Sequence, residues 1–236
     1  MSDPLFLVTA LPDGDALTLD GPEGHHAATV QRLRVGESLL VGDGRGTLVR
    51  ASVIAAGKGT LDLALGERTY EPLPKPRIVA VQGIAKGDRG ELAVQAMTEV
   101  GVDVIVPWAA ARSVAQWKSD KQHQRWVDIA REAAKQSRRA WVPVVEPPAS
   151  TKDLLGRVEG AFVLHETAST RLSTVALPTG QDVVVVVGPE GGITSDELVA
   201  FEAAGAQAVR LGASVLRTST AGPAAIAVLS AALGRW

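Results

Sequence analysis

Apolar residues in the first 70 positions occur in short runs that are separated by turns containing glycine. Such runs are typical of β-strands, and the turns include Gly42-Asp43-Gly44 and Gly57-Lys58-Gly59. A short helix is predicted from Gly24 through Val30. Together these features favour a small β-barrel. The predicted strands are Leu5–Val8, Ser38–Val41, Gly46–Ile54 and Thr60–Leu65.

Three prolines interrupt the pattern between Glu71 and Pro76. Proline disfavours the interior of a helix and a central strand alike. We therefore predict an interdomain linker over residues 71–76. It divides the chain into an N-terminal domain, residues 1–70, and a C-terminal domain, residues 77–236.

After the linker, strands and helices alternate. The strand predicted at Asp182–Val187 contains five consecutive valines, as expected of a central strand covered on both faces. Thr194 and Glu197 fit a capping box for a helix whose inner face carries Leu198 and Phe201. The alternation predicts an α/β domain with a mainly parallel sheet and helices on both faces. The other strands are predicted at Ile78–Gln82, Val104–Pro107, Ala161–His165 and Ala208–Leu211.

Three more helices follow from the spacing of apolar residues. Asp88 is placed to cap the first, Ser119 is placed to cap the second, and the last spans Ala224–Leu233. The predicted inner faces carry Leu92, Ala96, Met97 and Val100 in the first helix, and Trp126, Ile129, Ala130, Ala133 and Ala134 in the second.

Three segments follow predicted strands and are candidates to hold a ligand: Leu164–Glu166, Gly188–Gly192 and Leu211–Gly222. Ligands of α/β sheets bind outside the carboxyl ends of the strands, and glycine lets a ligand approach the backbone closely. A tight turn from strand to helix is the alternative interpretation of one or two of the glycines. Neither a Walker A motif nor Gly-x-Gly-x-x-Gly is present, which disfavours nucleoside triphosphates and dinucleotides.

Composition excludes several classes of protein. The chain has no cysteine, so disulfides, thiolate metal sites and cysteine nucleophiles are excluded. No cluster of histidine and aspartate suggests a metal, and we expect none. The start of the sequence lacks the pattern of a signal peptide, and the run Val183–Val187 is too short to span a bilayer. We expect a cytoplasmic protein.

Charge is distributed unevenly around a net value of −2. Residues 112–139 carry eight basic and three acidic side chains, whereas residues 1–72 carry six basic and ten acidic ones. A local basic stripe can bind phosphates, and a solvated helix face is the alternative interpretation. The basic residues of the stripe are Arg112, Lys118, Lys121, Arg125, Arg131, Lys135, Arg138 and Arg139.

The motifs, taken in order, resemble the SPOUT methyltransferases and more closely the RsmE family, which methylates N3 of a uridine in small-subunit (16S) ribosomal RNA. The C-terminal ones are Gly188-Pro189-Glu190-Gly191-Gly192-Ile193-Thr194, then Leu211-Gly212, then Val215-Leu216-Arg217-Thr218 before an alanine-rich helix. Similar stretches earlier are His26 with Val30–Gly36, Lys86–Arg89, Thr98–Val102 and Arg131–Arg139. Two positions depart from the family pattern, because Ser219 stands where glutamate is usual and Gln31 where leucine is usual.

The resemblance implies a fold that periodicity does not suggest. The C-terminal parallel sheet would contain a deep trefoil knot that holds S-adenosylmethionine, and the N-terminal domain would be a PUA-like β-barrel that helps to bind RNA. A homodimer is also implied. The implied cofactor-binding residues are Leu164, His165, Glu166, Gly188, Pro189, Glu190, Gly191, Gly192, Leu211, Gly212, Val215, Leu216 and Arg217.

Roles in the chemistry follow from the same resemblance. Arg217 is the first candidate to stabilise the anion that develops when uracil N3 loses its proton, and a phosphate or intersubunit contact is the alternative. Glu190 is a candidate to accept that proton or to orient the base. The predicted RNA-binding residues are His26, Arg32, Arg34, Lys86, Arg89, Arg112, Gln136, Arg138 and Arg139.

Other functions stay open on sequence alone. Another SPOUT enzyme that methylates a ribose 2′-hydroxyl or a tRNA would share the fold and the cofactor. A non-catalytic RNA-binding or assembly factor would retain the fold without transfer. A metabolic α/β enzyme is a more distant alternative. The substrate is either free ribosomal RNA or the assembled 30S subunit.

Overall fold

The computed structural model describes residues 3–115, 117 and 119–236, so Lys118 of the basic stripe lies outside the described residues. The chain forms two compact units. The first contains the residues up to Leu73 together with Ala134–Val142, and the second contains Pro74–Ala133 and Pro143–Trp236. Each unit has its own hydrophobic core.

The first unit is built on a five-stranded sheet with the order β1-β3-β4-β5-β2. Strands β1 and β3 are parallel and the other neighbours are antiparallel. Strand β2 was not predicted, because only Leu19 of its four residues is buried and the apolar signal is weak. The strands are β1 Leu5–Leu7, β2 Ala16–Leu19, β3 Ser38–Gly42, β4 Thr47–Ala56 and β5 Leu61–Tyr70. The predicted short helix is α1, Gly21–His25, continued by a π-helical turn at His26–Val30.

The segment Ala134–Val142 belongs to the first unit, although the predicted boundaries placed it in the C-terminal domain. Hydrogen bonds explain the difference. Gly46 N donates to Ala140 O (3.0 Å), Val142 N donates to Gly44 O (3.0 Å), and the Trp141 indole donates to Glu71 O (2.7 Å). These partners are about 70 to 100 positions apart in sequence, so no local pattern could indicate them.

The second unit is built on a seven-stranded parallel sheet, which confirms the predicted α/β class. The order is β12-β10-β11-β6-β7-β8, and β9 also pairs with β7. The valine-rich strand β11 lies between β10 and β6, as its apolar sequence predicted. The strands are β6 Ile78–Gly83, β7 Val104–Ala109, β8 Val144–Val145, β9 Ala149–Ser150, β10 Phe162–Leu164, β11 Val183–Val187 and β12 Gln207–Val209.

Helical layers cover both faces of this sheet. On β6, Ile78 and Ala80 join one core, while Val79 and Val81 join the other, because alternate side chains of a strand point to opposite faces. The first core is shared with α2, α3 and α6, and the second with α4 and α5. The helices are α2 Arg89–Glu99, α3 Asp120–Gln136, α4 Thr151–Leu154, α5 Ser195–Ala203 and α6 Thr218–Ala232. Within the described ranges, no helix has both the length and the apolar character that crossing a membrane requires.

Helix α2 differs from its prediction in two ways. Asp88 makes no side-chain capping bond, because its own backbone is already helical (φ −80°, ψ −7°). The buried residues include Ala93, Val94 and Met97, whereas Leu92 is 50% exposed. The predicted inner face was therefore wrong at Leu92.

Helix α6 begins six residues before its predicted start at Ala224, because the Gly222-Pro223 pair does not break it. A Cβ at position 222 would lie 2.8 Å from Met97 Sδ, so glycine permits the close packing of α6 on α2. The residue that precedes the helix is Arg217, whose carbonyl accepts from Thr220 N (2.8 Å) and Ala221 N (2.9 Å).

Candidate functional site

A cavity of about 500 Å³ opens at the carboxyl ends of three neighbouring strands of the second unit. The segments Leu164–Glu166, Gly188–Gly192 and Leu211–Leu216 follow β10, β11 and β12, and all of them line the cavity. The parallel pairing of these strands with one another places their ends at the same edge of the sheet. The three candidate loops therefore form the walls of one site.

Close contacts account for the glycines at the centre of the site. A Cβ at position 83, at the end of β6, would lie 2.5 Å from Pro189 N, and a Cβ at position 188 would lie 2.9 Å from the Ile193 side chain. Gly192 has a φ of +75°, which favours glycine, and its N–H donates to Pro189 O (2.9 Å). The loop is thus packed tightly against β6 and turned back on itself.

Side chains from other elements fix this loop from outside. The Glu190 carboxylate accepts from Lys86 N (3.0 Å) and pairs with the Arg89 guanidinium (3.3 Å). Arg112 donates to Gly191 O (3.0 Å). Lys86, Arg89 and Arg112 were predicted to bind RNA, and the structure places all of them beside the Gly188–Gly192 loop.

A buried chain of hydrogen bonds connects the loop to β6 and α6. The Gln82 amide donates to Thr218 Oγ1 (2.8 Å), and the Thr218 hydroxyl donates to Gly188 O (2.7 Å). Both side chains are buried. Because Thr218 directly follows Arg217, this chain fixes the backbone from which Arg217 projects. One signal for it is visible in the sequence, a glutamine at the end of an otherwise apolar strand.

Glu197 has more partners than the capping box that the sequence predicted. The box is confirmed, since Glu197 N donates to the Thr194 hydroxyl oxygen (3.2 Å) and Thr194 N donates to the Glu197 carboxylate (3.0 Å); the Thr194 hydroxyl also donates to that carboxylate (2.8 Å). The carboxylate also accepts from Ala111 N (2.7 Å) and from the Thr151 hydroxyl (3.0 Å). Glu197 thereby holds the segment that carries Arg112 close to the start of α5.

Two opposing effects act on the pKa of Glu197. Burial raises the pKa, but the hydrogen bonds from Ala111, Thr194 and Thr151 outweigh it and hold the pKa below the ordinary value of 4.5. The charged form is therefore favoured more in the folded than in the unfolded chain. The corresponding stability is present above pH 4.5 and is lost as the pH falls through the lowered pKa.

The Glu197→Gln variant tests this linkage. An amide retains an acceptor oxygen but cannot accept at both of its ends, so we expect the free energy of unfolding to fall by about 1–3 kcal/mol at pH 7. The difference from the wild type should shrink as the pH is lowered below 4.5. Urea unfolding from pH 7 to pH 3 measures it. Glu202→Gln, an exposed change on the same helix, is the control and should show no such dependence. A difference that stays constant with pH would contradict the role given to the charge.

The remaining wall residues differ in exposure. Arg217 and the loop before it are exposed, and Val215 is 78% exposed. The His165 ring is half-buried and contacts the Thr167 hydroxyl through Nδ1 (2.9 Å). Arg210 also lines the cavity. Sequence reasoning missed Arg210, because it lay inside a predicted strand.

The other predicted RNA-binding residues lie in the first unit. Arg32, Arg34, Gln136 and Arg138 are exposed, and Arg139 is half-buried. His26 packs its ring edge-on against Phe6, with ring centres 5.9 Å apart.

The described basic residues of the stripe do not form one solvated face, because Lys135 is 5% exposed and pairs with Glu23 (2.9 Å).

Two family models match the chain. Residues 71–230 match a family described as an RNA methyltransferase domain, and residues 19–65 match one described as an RNA methyltransferase PUA domain. These matches include the parallel sheet, the cavity and most of the first unit's sheet. The fold and the site are therefore those of an RNA methyltransferase with a PUA domain.

Individual relatives show to which family of RNA methyltransferases the chain belongs. Ribosomal RNA small subunit methyltransferase E of Mycobacterium bovis is 45% identical over 243 residues, covering 98% of this chain and 93% of the relative. The Bacillus subtilis protein of the same name is 30% identical over 234 residues, covering 93% and 91%. The crystal structure of the Neisseria gonorrhoeae protein, bound to S-adenosyl methionine, has a TM-score of 0.89 at 29% identity and covers 98% of both chains. The chain belongs to the ribosomal RNA small subunit methyltransferase E family, which confirms the resemblance found in its motifs.

Proposed function

We propose that the chain transfers a methyl group from S-adenosylmethionine to N3 of a uridine in small-subunit ribosomal RNA. The observation that carries the proposal is that the three strand-end loops line one shared cavity. The chain also belongs to the ribosomal RNA small subunit methyltransferase E family. The related Neisseria gonorrhoeae protein was solved with S-adenosyl methionine. In the part of the chain that the structure describes, no group of three or more acidic, histidine or cysteine residues could hold a metal ion.

The residues of the cavity fit this cofactor. A volume of about 500 Å³ lies in the range of small-molecule sites. Apolar side chains such as Leu164 and Leu211 can cover the adenine, and Glu166 offers a carboxylate to sugar hydroxyls. Backbone groups of Gly188–Gly192 and Leu211–Leu216 are available at the close approach that glycine permits. When bound, the cofactor supplies a methyl group activated by its sulfonium.

The chain itself must stabilise charge on the base. Uracil N3 is a poor nucleophile until it loses its proton, and the resulting anion is shared with the carbonyl oxygens. Arg217 is exposed at the wall of the cavity and has no carboxylate partner among the described residues, so its guanidinium is available to such an oxygen. Glu190 already accepts from Lys86 N and Arg89, which supports an orienting role over proton transfer.

Transfer by the purified chain tests the proposed reaction. Small-subunit ribosomal RNA and assembled subunits, each unmethylated, are incubated with labelled S-adenosylmethionine, and the product nucleoside is identified by mass spectrometry. We expect N3-methyluridine. A 2′-O-methylated nucleoside, or transfer to tRNA alone, would favour another SPOUT enzyme. Cofactor binding without transfer to any RNA would favour an assembly factor. The comparison of the two substrates also decides between free RNA and the 30S subunit.

Backbone conformation supports the use of Arg32 in RNA binding. Arg32 follows the π-helical turn His26–Val30 and its C-cap residue Gln31; it has a φ of +57° and is exposed. Glycine is favoured there, and another residue costs about 1 kcal/mol. An arginine kept at this position is consistent with a function for its side chain. Arg138, which follows α3 with a φ of +54°, has the same character.

Two replacements of Arg32 separate function from strain. Arg32→Gly should raise the free energy of unfolding by up to about 1 kcal/mol. The same variant should weaken RNA binding, and the magnitude of the slope of log affinity against log salt concentration should fall by about one. Arg32→Ala should weaken RNA binding equally without the gain in stability. Filter binding at several salt concentrations and urea unfolding measure both effects. Unchanged RNA affinity in both variants would remove Arg32 from the binding surface.

The finer architecture is also a proposal. We infer a trefoil knot in the second unit, a closed barrel in the first, and a homodimer. In support of the knot, the chain leaves the sheet at its edge strand β12 and returns with α6 to pack against the central strands β6 and β11. In support of the dimer, Leu92, Val215 and Leu216 are exposed apolar side chains of a single chain. Sedimentation at twice the mass of one chain is expected.

A further inference from the structure

Arg210 is a cavity residue whose backbone is hydrogen-bonded to a neighbouring segment. It directly follows β12 and lines the same cavity as the three loops. Its N–H donates to Thr170 O (2.9 Å), its carbonyl accepts from Leu172 N (2.9 Å), and it forms a parallel bridge with Arg171. Both hydrogen bonds go to the neighbouring segment 170–172, so the N–H and the carbonyl of Arg210 are each fixed, and the half-buried side chain starts from a fixed position.

Among the residues that the structure describes, no carboxylate of the cavity forms an ion pair with Arg210. The arginines are Arg89, Arg210 and Arg217, and the carboxylates are Glu166 and Glu190. Glu190 pairs with Arg89. Among the described residues, the Nε of Arg210 is buried and has no hydrogen-bond acceptor. A buried, unsatisfied donor on a charged group is destabilising, so the guanidinium of this cavity residue retains hydrogen-bonding capacity that a bound anion could use.

We propose that Arg210 binds the carboxylate of the amino-acid part of S-adenosylmethionine. This inference rests on the proposed function. The carboxylate is the one anionic group of that cofactor, and its sulfonium and ammonium are cations that a guanidinium repels. Guanidinium and carboxylate form charge-assisted and often bidentate hydrogen bonds. Neutral acceptors on the adenine or the ribose would satisfy the arginine less well.

Arg210 and Arg217, the two cavity arginines that have no carboxylate partner among the described residues, thereby have separate roles. Arg217 lies in the exposed loop before α6, where an RNA base can reach it. Arg210 is half-buried at the end of the edge strand β12 and next to β10, whose following residue His165 donates its N–H to Val209 O (2.9 Å). Arg210 is a binding residue and takes no part in the methyl transfer itself.

Calorimetry with three ligands tests the assignment. The ligands are S-adenosylmethionine, its decarboxylated form and 5′-methylthioadenosine, which lacks the whole amino-acid part. The variants are Arg210→Met, which retains length and loses the charge, and Arg171→Met, the neighbouring exposed arginine that does not line the cavity. Arg210→Met should weaken the binding of S-adenosylmethionine about 10- to 100-fold and the binding of the other two ligands less than about threefold. Arg171→Met should change none of them.

The wild type should also bind decarboxylated S-adenosylmethionine more weakly than the intact cofactor by a similar factor, because the same contact is lost. Arg210→Lys, which keeps the charge without the planar fork, should fall between wild type and Arg210→Met. Equal weakening of all three ligands by Arg210→Met would overturn the assignment, since the arginine would then act on the adenosine part or on the shape of the cavity. Unchanged binding of S-adenosylmethionine would overturn it too.

Failure of the wild type to bind any of the three would instead contradict the proposed function. Melting of each ligand-free variant within a few degrees of wild type shows that it is folded.

Discussion

The Arg217→Lys variant is expected to lose about 100-fold or more in kcat for methyl transfer, while its affinity for S-adenosylmethionine stays within about threefold of wild type. The guanidinium is exposed at the cavity wall, and it is proposed to stabilise negative charge on a uracil carbonyl. Lysine keeps a positive charge but lacks the planar pair of donors. The backbone contribution of residue 217 to the start of α6 does not depend on its side chain, because no side-chain capping bond is present.

Single-turnover kinetics and calorimetry together test this prediction, because the first measures the rate of methyl transfer and the second measures the affinity for the cofactor. Arg171→Lys is the matched control, since Arg171 is exposed and lies outside the cavity wall. Wild-type turnover in Arg217→Lys would end the catalytic assignment. A loss that appears only as weaker RNA binding would favour the alternative role of Arg217 as a phosphate contact.

The Arg235→Met variant is expected to lower the free energy of unfolding by about 3 kcal/mol. Arg235 pairs with Asp103 (2.9 Å), whose side chain is 1% exposed and also accepts from Ile78 N (2.8 Å). The guanidinium donates as well to Gly101 O (3.3 Å). Removing it takes one opposite charge away from the buried Asp103 carboxylate at the start of β6, the strand whose end packs against the Gly188–Gly192 loop.

The control for this variant is Arg157→Met. Arg157 pairs with Glu146 (2.7 Å), but the two side chains are 48% and 30% exposed. Exposed pairs contribute about 1 kcal/mol or less. Urea unfolding of the two variants should therefore differ clearly. Equal losses of unfolding free energy in the two variants would show that the buried Arg235–Asp103 pair contributes no more than the exposed Arg157–Glu146 pair.

The order of strands and loops could be predicted from the sequence because each signal is local. The five valines of β11, the glycines that follow them and the capping box of α5 all lie within 15 residues. A parallel sheet then requires the loops after β10, β11 and β12 to lie at one edge. For this reason the sequence alone predicts the three candidate ligand loops.

What the sequence could not provide depends on contacts between distant residues. The phase of α2 is set by packing against α6 and the sheet, so Leu92 was placed on the wrong face. The early start of α6 depends on the fit of Gly222 against Met97, which outweighs the helix-breaking tendency of Gly222-Pro223. Only the structure shows that Arg210 lines the cavity and that Gln82, a polar residue at the end of an apolar strand, is linked through Thr218 to Gly188.

Mass mapping of methyluridine in small-subunit ribosomal RNA tests the central claim most directly. The RNA is taken from a strain that lacks the gene and from the same strain carrying either the wild-type gene or the Arg217→Lys gene. The proposed function predicts that one N3-methyluridine disappears in the first strain, returns with the wild-type gene and stays largely absent with the variant. Retention of every methyluridine in the strain without the gene would contradict the assignment.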